Sequence, residues 1–213
     1  PQLGNLVNGL GNIKPQLNAI ISYCTQALLM KKIALFYSDG TFYTAAKNTA
    51  IDLLKEEGIR PIAQASYNRF TMDINTPAQT IINADPKIVI CLGSSYPVAK
   101  LISRFFELGH YGTTFIGIDS TMFVPDILRA KGATYLYSSA IPNPQTSTTE
   151  IARQYRTDME TSFPDDVTNI LSFSYYIHAT IIAKALSKLP ANSNLKTTLV
   201  PAIEAMTDVD LDG

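Results

Sequence analysis

A doubly wound parallel α/β domain followed by extra helices is the fold class this chain predicts, and three observations predict it. Short β-rich runs alternate with segments of helical period. The longest apolar stretches, such as Ile33 to Tyr37 and Ile88 to Leu92, are strand-sized. Gly or Pro marks most junctions between runs. Parallel neighbours need helical crossovers of this length, and right-handed connections then cover the sheet on both faces, giving three layers. With 213 residues, 46% of them hydrophobic, the chain has material for one such core and further elements.

Taken in order, the spacing predicts a helix from about Pro15 to Met30, strand Lys32 to Tyr37, and a helix from about Tyr43 to Glu57 stopped by Gly58. Strand Arg60 to Ala65 follows. Thr76 reads as an N-cap with Pro77 at N1 of a short helix, and Pro86 ends that helix before strand Lys87 to Leu92. Val98, Leu101, Ile102, Phe105 and Leu108 fall on one stripe of the next helix, which Gly109 closes. Strand Thr113 to Ile118, a brief helix around Val124 to Ala130, and strand Ala133 to Ser138 complete the sheet. From Ile141-Pro142-Asn143-Pro144 the rhythm breaks, and helical segments Ser147 to Thr161, Asn169 to Lys188 and Leu195 to Met206 follow. A lone α/β domain rarely needs such a tail, so the tail is expected to pack against another part of the polypeptide.

Composition removes several classes of function. The 17 basic and 18 acidic residues nearly cancel, which speaks against a nucleic-acid groove or an anionic membrane surface. No apolar run approaches the ~20 residues of a membrane-spanning helix. Residues Pro1 to Asn12 lack the basic start and apolar run of a secretory signal. An initial Pro without Met and an abrupt stop at Asp210-Leu211-Asp212-Gly213 lead us to expect a processed or truncated chain. Cys24 and Cys91 are expected to be small buried thiols, with a disulfide as the alternative. No G-x-G-x-x-G or Walker loop opens a helix, so no nucleotide cofactor is expected. Gly93-Ser94-Ser95 lacks the G-x-S-x-G elbow, and His110 and His178 have no triad or metal spacing. His110 reads as a loop residue and His178 as satisfied core. A phospho-acceptor domain is disfavoured too, because the acid pair after the first strand is missing and Asp39 stands in a glycine turn. The expectation is a protein that is not an enzyme.

Ligands of open parallel sheets bind beyond the carboxyl ends of the strands. Three loops there carry polar groups: Ser38-Asp39-Gly40-Thr41-Phe42-Tyr43, Gly93-Ser94-Ser95-Tyr96-Pro97 and Asp119-Ser120-Thr121. Together they suit a small zwitterion. Asp119 would pair with an ammonium group, Tyr43 and Tyr96 would supply ring faces, and Ser94 and Ser95 would add hydroxyls. The same residues also serve ordinary packing and helix capping, so spacing leaves both uses open.

Several of these segments resemble one family in order. Lys31 to Asp39 continuing through Phe42-Tyr43, Thr71-x-Asp73, Ala84-Asp85-Pro86-Lys87-Ile88-Val89-Ile90, Gly93 to Pro97, and Phe115-Ile116-Gly117-Ile118-Asp119 resemble the second lobe of the leucine/isoleucine/valine-binding family of type I periplasmic binding proteins. Ser174 to Ala179 resembles a further helix of that family. Thr44 replaces the usual glycine after Tyr43, Asp119 is shorter than the common glutamate, and Ile177-His178 interrupts the tyrosine motif. By this resemblance residues 13–142 would be the second, ligand-binding lobe. Residues 1–12 and 143–213 would be crossovers and an incomplete part of the first lobe. Tyr43, Tyr96 and Asp119 would be ligand contacts, with Asp119 facing the amino group, and the first lobe would hold the ligand carboxylate. The resemblance implies an extracytoplasmic solute-binding component of an ABC importer, made with a removed signal peptide, closing by a hinge on an amino-acid-like ligand and meeting a permease. A receptor ectodomain of the same fold is the alternative; an enzyme on a flavodoxin-like sheet is a third reading.

Overall fold

The computed structural model describes residues 13–124 and 135–206. They fall into two compact units that meet in sequence at Ala140 and Ile141.

In the first unit β1 (Ile33–Ser38), β2 (Ala63–Tyr67), β3 (Ile88–Leu92), β4 (Thr114–Ile118) and β5 (Tyr135–Ser138) form a parallel sheet in the order β2-β1-β3-β4-β5. The helices are α1 (Ile13–Ser22, continued by a π-helical turn at Tyr23–Ala27), α2 (Thr41–Glu56), α3 (Asn75–Asn83) and α4 (Ser95–Glu107). The doubly wound α/β fold is therefore as the sequence predicts.

Alternation along the strands builds two cores. Ile33 and Leu35 of β1, Ile88, Ile90 and Leu92 of β3, and Ile116 and Ile118 of β4 face α1 and α2. Ala34, Phe36, Val89, Cys91 and Phe115 face α3 and α4. β1 and β3 thus have apolar residues on both faces, which is why they read as unbroken runs. Cys24 and Cys91 are free, buried thiols, one in each core.

Boundaries depart from the sequence reading where local chemistry overrides the period. The predicted strand Arg60 to Ala65 lies later, at Ala63–Tyr67, because Pro61 has no N–H for the ladder and pairing with β1 starts at Ala34 and Ala63. Its Ala63, Ala65 and Tyr67 turn inward while Gln64 and Ser66 are exposed, as befits an edge strand. The α3 helix opens at Asn75, not after Thr76: Asp73 Oδ1 accepts the Asn75 N–H at 3.0 Å, and Pro77 sits at the third position, where a free N–H would have no partner. The first helix stops short of Met30, since Leu29 adopts φ 53°. Gly58 and Gly109 close their helices with φ 69° and 80°. Leu108 is not buried with the rest of its stripe: it is the C-cap residue of α4 and is 43% exposed. The predicted helix from Val124 to Ala130 falls almost wholly outside the described residues, as does the start of the fifth strand.

In the second unit the described residues form α5 (Glu150–Ser162), α6 (Ile170–Ser187) and α7 (Leu195–Glu204). Ile151, Ala152, Tyr155 and Phe173 make its core, and the Tyr155 and Phe173 rings lie 5.0 Å apart. The Asn169 side chain caps α6, accepting the N–H groups of Leu171 and Ser172 at 3.0 Å each. α5 starts at Glu150, later than the predicted Ser147, because Ser147 and Thr149 are taken up in a hydroxyl-braced turn. His178 is half-buried with its ring edge-on to Tyr175, so it is not the core residue its apolar neighbours suggest.

Candidate functional site

The strand order reverses between β1 and β3, and the carboxyl ends of these strands flank the crevice in which such sheets bind ligands. β1 ends in Ser38, whose side chain is buried. Asp39 then turns the chain, as its glycine neighbour suggests. Its carboxylate accepts the Arg69 N–H at 3.0 Å and the Asn68 side-chain amide at 3.2 Å, tying the β1 and β2 ends together.

Tyr67, a residue the sequence reading passed over, dominates this edge. It rises from the last position of β2, lies over Phe36 with ring centroids 5.0 Å apart, and its hydroxyl accepts the Ser94 N–H at 3.0 Å. Burial pushes the phenol above its ordinary range, against the opposing pull of that hydrogen bond. Gly93 makes room for it, since a Cβ there would overlap the Tyr67 hydroxyl. The available signal was the alternation Ala63, Ala65, Tyr67, visible only once the strand is set two residues later.

Ser94 is the N-cap of α4, and Ser95 its first residue. The buried Ser95 hydroxyl donates to the Ser120 carbonyl and accepts the Phe123 N–H, both at 3.3 Å. Ser120 returns a bond from its hydroxyl to the Gly93 carbonyl at 2.8 Å. Ser94, Ser95 and Asp119 are thereby brought together where β3 and β4 end.

Asp119 opens the short turn after β4 and is half-buried. Its Oδ2 accepts the Gln16 Nε2–H at 3.0 Å and its Oδ1 the Ser120 N–H at 2.7 Å. Tyr43 and Tyr96 stand on the first turns of α2 and α4, which follow the adjacent strands β1 and β3. Tyr43 is half-buried, edge-on to Phe42 at 5.1 Å. Tyr96 is 51% exposed, and Lys100 Nζ lies 4.7 Å from its ring centroid, so one face of the ring already holds a cation. Among the described residues no three His, Cys, Asp or Glu side chains are grouped as a metal site requires, and no helix is long and apolar enough to cross a membrane.

A sequence model described as periplasmic binding protein matches residues 12–213. The chain belongs to that family. Solved structures agree in fold. A possible leucine/isoleucine/valine-binding protein from Rhodopirellula baltica superposes with a TM-score of 0.84 at 17% identity, covering 99% of this chain and 58% of that one. An extracellular ligand-binding receptor from Verminephrobacter eiseniae has TM-score 0.84 and 18% identity, covering 99% of this chain and 60% of that one. A substrate-binding periplasmic protein from Ralstonia solanacearum has TM-score 0.80 and 18% identity, with 94% and 57% covered. The chain thus spans well under two thirds of the length of these structures. No curated protein matches it in sequence.

Proposed function

We propose that this chain is part of an extracytoplasmic solute-binding protein that serves an ABC importer and binds an amino acid or a similar small polar ligand. Residues 13–142 act as the second lobe, with 143–213 contributing to the first. Asp119, Tyr43, Tyr96, Ser94 and Ser95 form this lobe's half of the grip. Ligand closes the two lobes by a hinge, and the closed form meets the permease. The observation that carries this reading is Asp119: a half-buried carboxylate held by two N–H donors at the carboxyl end of β4, close to the switch point of the sheet. A second lone pair on each oxygen is available to an ammonium group. Membership of the periplasmic binding protein family supports the same reading.

Calorimetric titration of the full-length protein with the twenty common amino acids, one at a time, tests it. At least one should bind, and Asp119→Asn should weaken that binding by roughly tenfold or more, as expected for loss of a charge-assisted contact. Absence of any binding, or an unchanged affinity in the variant, defeats the proposal.

A further inference from the structure

Four polar side chains are buried among the described residues: Gln16, Ser38, Ser95 and Thr121. Three of them stand at or just beyond a strand end. Gln16 comes instead from α1, on the same buried stripe as Leu17, Ile20 and Ile21, and is 4% exposed. A carboxamide buried among aliphatic side chains loses its hydration and needs partners. Gln16 finds both on one residue: its Nε2 donates to Asp119 Oδ2 at 3.0 Å, and its Oε1 accepts the Asp119 main-chain N–H at 3.2 Å.

We infer that Gln16 is a positioning residue for ligand recognition, holding the Asp119 carboxylate in the orientation that receives an ammonium group. The inference rests on the proposed role of Asp119. The polarity of the clamp is specific. A carboxylate only accepts and a main-chain N–H only donates, so the partner must present a donor and an acceptor side by side. A primary amide does so; a methionine offers no donor and only a weak sulfur acceptor, and an ionised glutamate offers no donor. With Oδ2 held by Gln16 and Oδ1 by the Ser120 N–H, rotation of the carboxylate is blocked, and the remaining lone pairs point in fixed directions. Fixing an acceptor before the ligand arrives lowers the ordering cost of binding. It also makes recognition depend on how α1 sits against β4, although the two residues are 103 positions apart in sequence.

A double-mutant cycle in the full-length protein tests this, with wild type, Gln16→Met, Asp119→Asn and the double variant titrated by calorimetry. The probes are the twenty common amino acids and, for one that binds, the same carboxylic acid lacking its amino group. Gln16→Met should weaken the amino acid by roughly tenfold, the scale of one hydrogen bond to a charged group. It should leave the deaminated acid unaffected and should add little in the Asp119→Asn background. Equal loss for both probes, additive losses in the cycle, or no loss at all would overturn the inference while leaving the function standing. No binding by wild type overturns both. Should Gln16→Met fail to fold, Gln16→Asn keeps the amide but withdraws it by one methylene and fits without a clash, and the same outcomes decide.

Discussion

At the scale of single residues, hydrogen bonds between distant positions hold the candidate site, and each makes a measurable claim. Tyr67→Phe keeps the ring over Phe36 and removes the hydroxyl that accepts the Ser94 N–H. An unpaired, part-buried N–H costs about 1–3 kcal/mol, so chemical denaturation should show a loss in that range. An unchanged midpoint would mean that water replaces the hydroxyl. The thiols make a claim about pH. Burial pushes Cys24 up to about 12 from an ordinary 9.0, and Cys91 higher still by the same cause. Both thiols are therefore neutral in the folded state over a range where the unfolded chain ionises. Their contribution is fully present below pH 9 and is lost as pH rises from about 9 toward 12. Stability should fall by roughly 1.4 kcal/mol per pH unit for each thiol across that window. The slope should flatten in Cys24→Ala, and a pH-independent midpoint would contradict the burial of both groups. Little of this scale was legible beforehand. Asp119, Ser94 and Ser95 stood out because strand ends in a parallel sheet collect ligand-binding groups. Gln16 did not, because a lone amide in a helical stripe gives no sign of a partner 103 residues away.

At the scale of elements, the same helical period has two meanings in the two units. Within α4 the stripe Val98, Leu101, Ile102 and Phe105 is buried against the sheet, as its spacing predicts. Along α6, apolar residues occur almost all round, and Leu171, Tyr175, Ile182 and Leu186 form an exposed stripe at spacings of four, seven and four residues. Phe173, in contrast, is wholly buried against Tyr155. Phe173→Ala should cost about 3–5 kcal/mol in denaturation of the full-length protein, whereas Ile182→Ala should stay within about 1 kcal/mol. Equal costs would show that the exposed stripe has a partner within the chain. The pattern explains why helices of this tail were legible as helices while their environment was not. Period identifies which residues share a face and is silent on whether anything covers that face. The β2 strand shows the converse limit: its type was evident, but Pro61 and the pairing with β1 set its register, and register depends on a neighbour.

At the scale of the molecule, the core is divided by sequence as well as by space. Among the described residues, both sheet cores draw on positions 13–140 and the Tyr155–Phe173 core on positions from Ile141 onward. The break in rhythm at Ile141-Pro142-Asn143-Pro144 was legible for this reason: the pattern of strand and crossover ends where the sheet does. A domain of this length with apolar packing on both faces of its sheet is large enough to fold unaided. The three-helix segment is not, since below about 70–80 residues a single core rarely supplies enough burial, and its described residues include few fully buried side chains. Expressed separately, residues 12–140 should therefore unfold in one cooperative urea transition with a slope of about 1–3 kcal/mol/M. Residues 141–206 should show partial helix by circular dichroism and a broad, non-cooperative melt. If 12–140 melts without cooperativity, the sheet domain draws stability from beyond Ala140. If 141–206 melts sharply, the small Tyr155–Phe173 core is sufficient by itself, and the exposed stripe on α6 is then a surface added to a stable fold rather than an unfinished part of one.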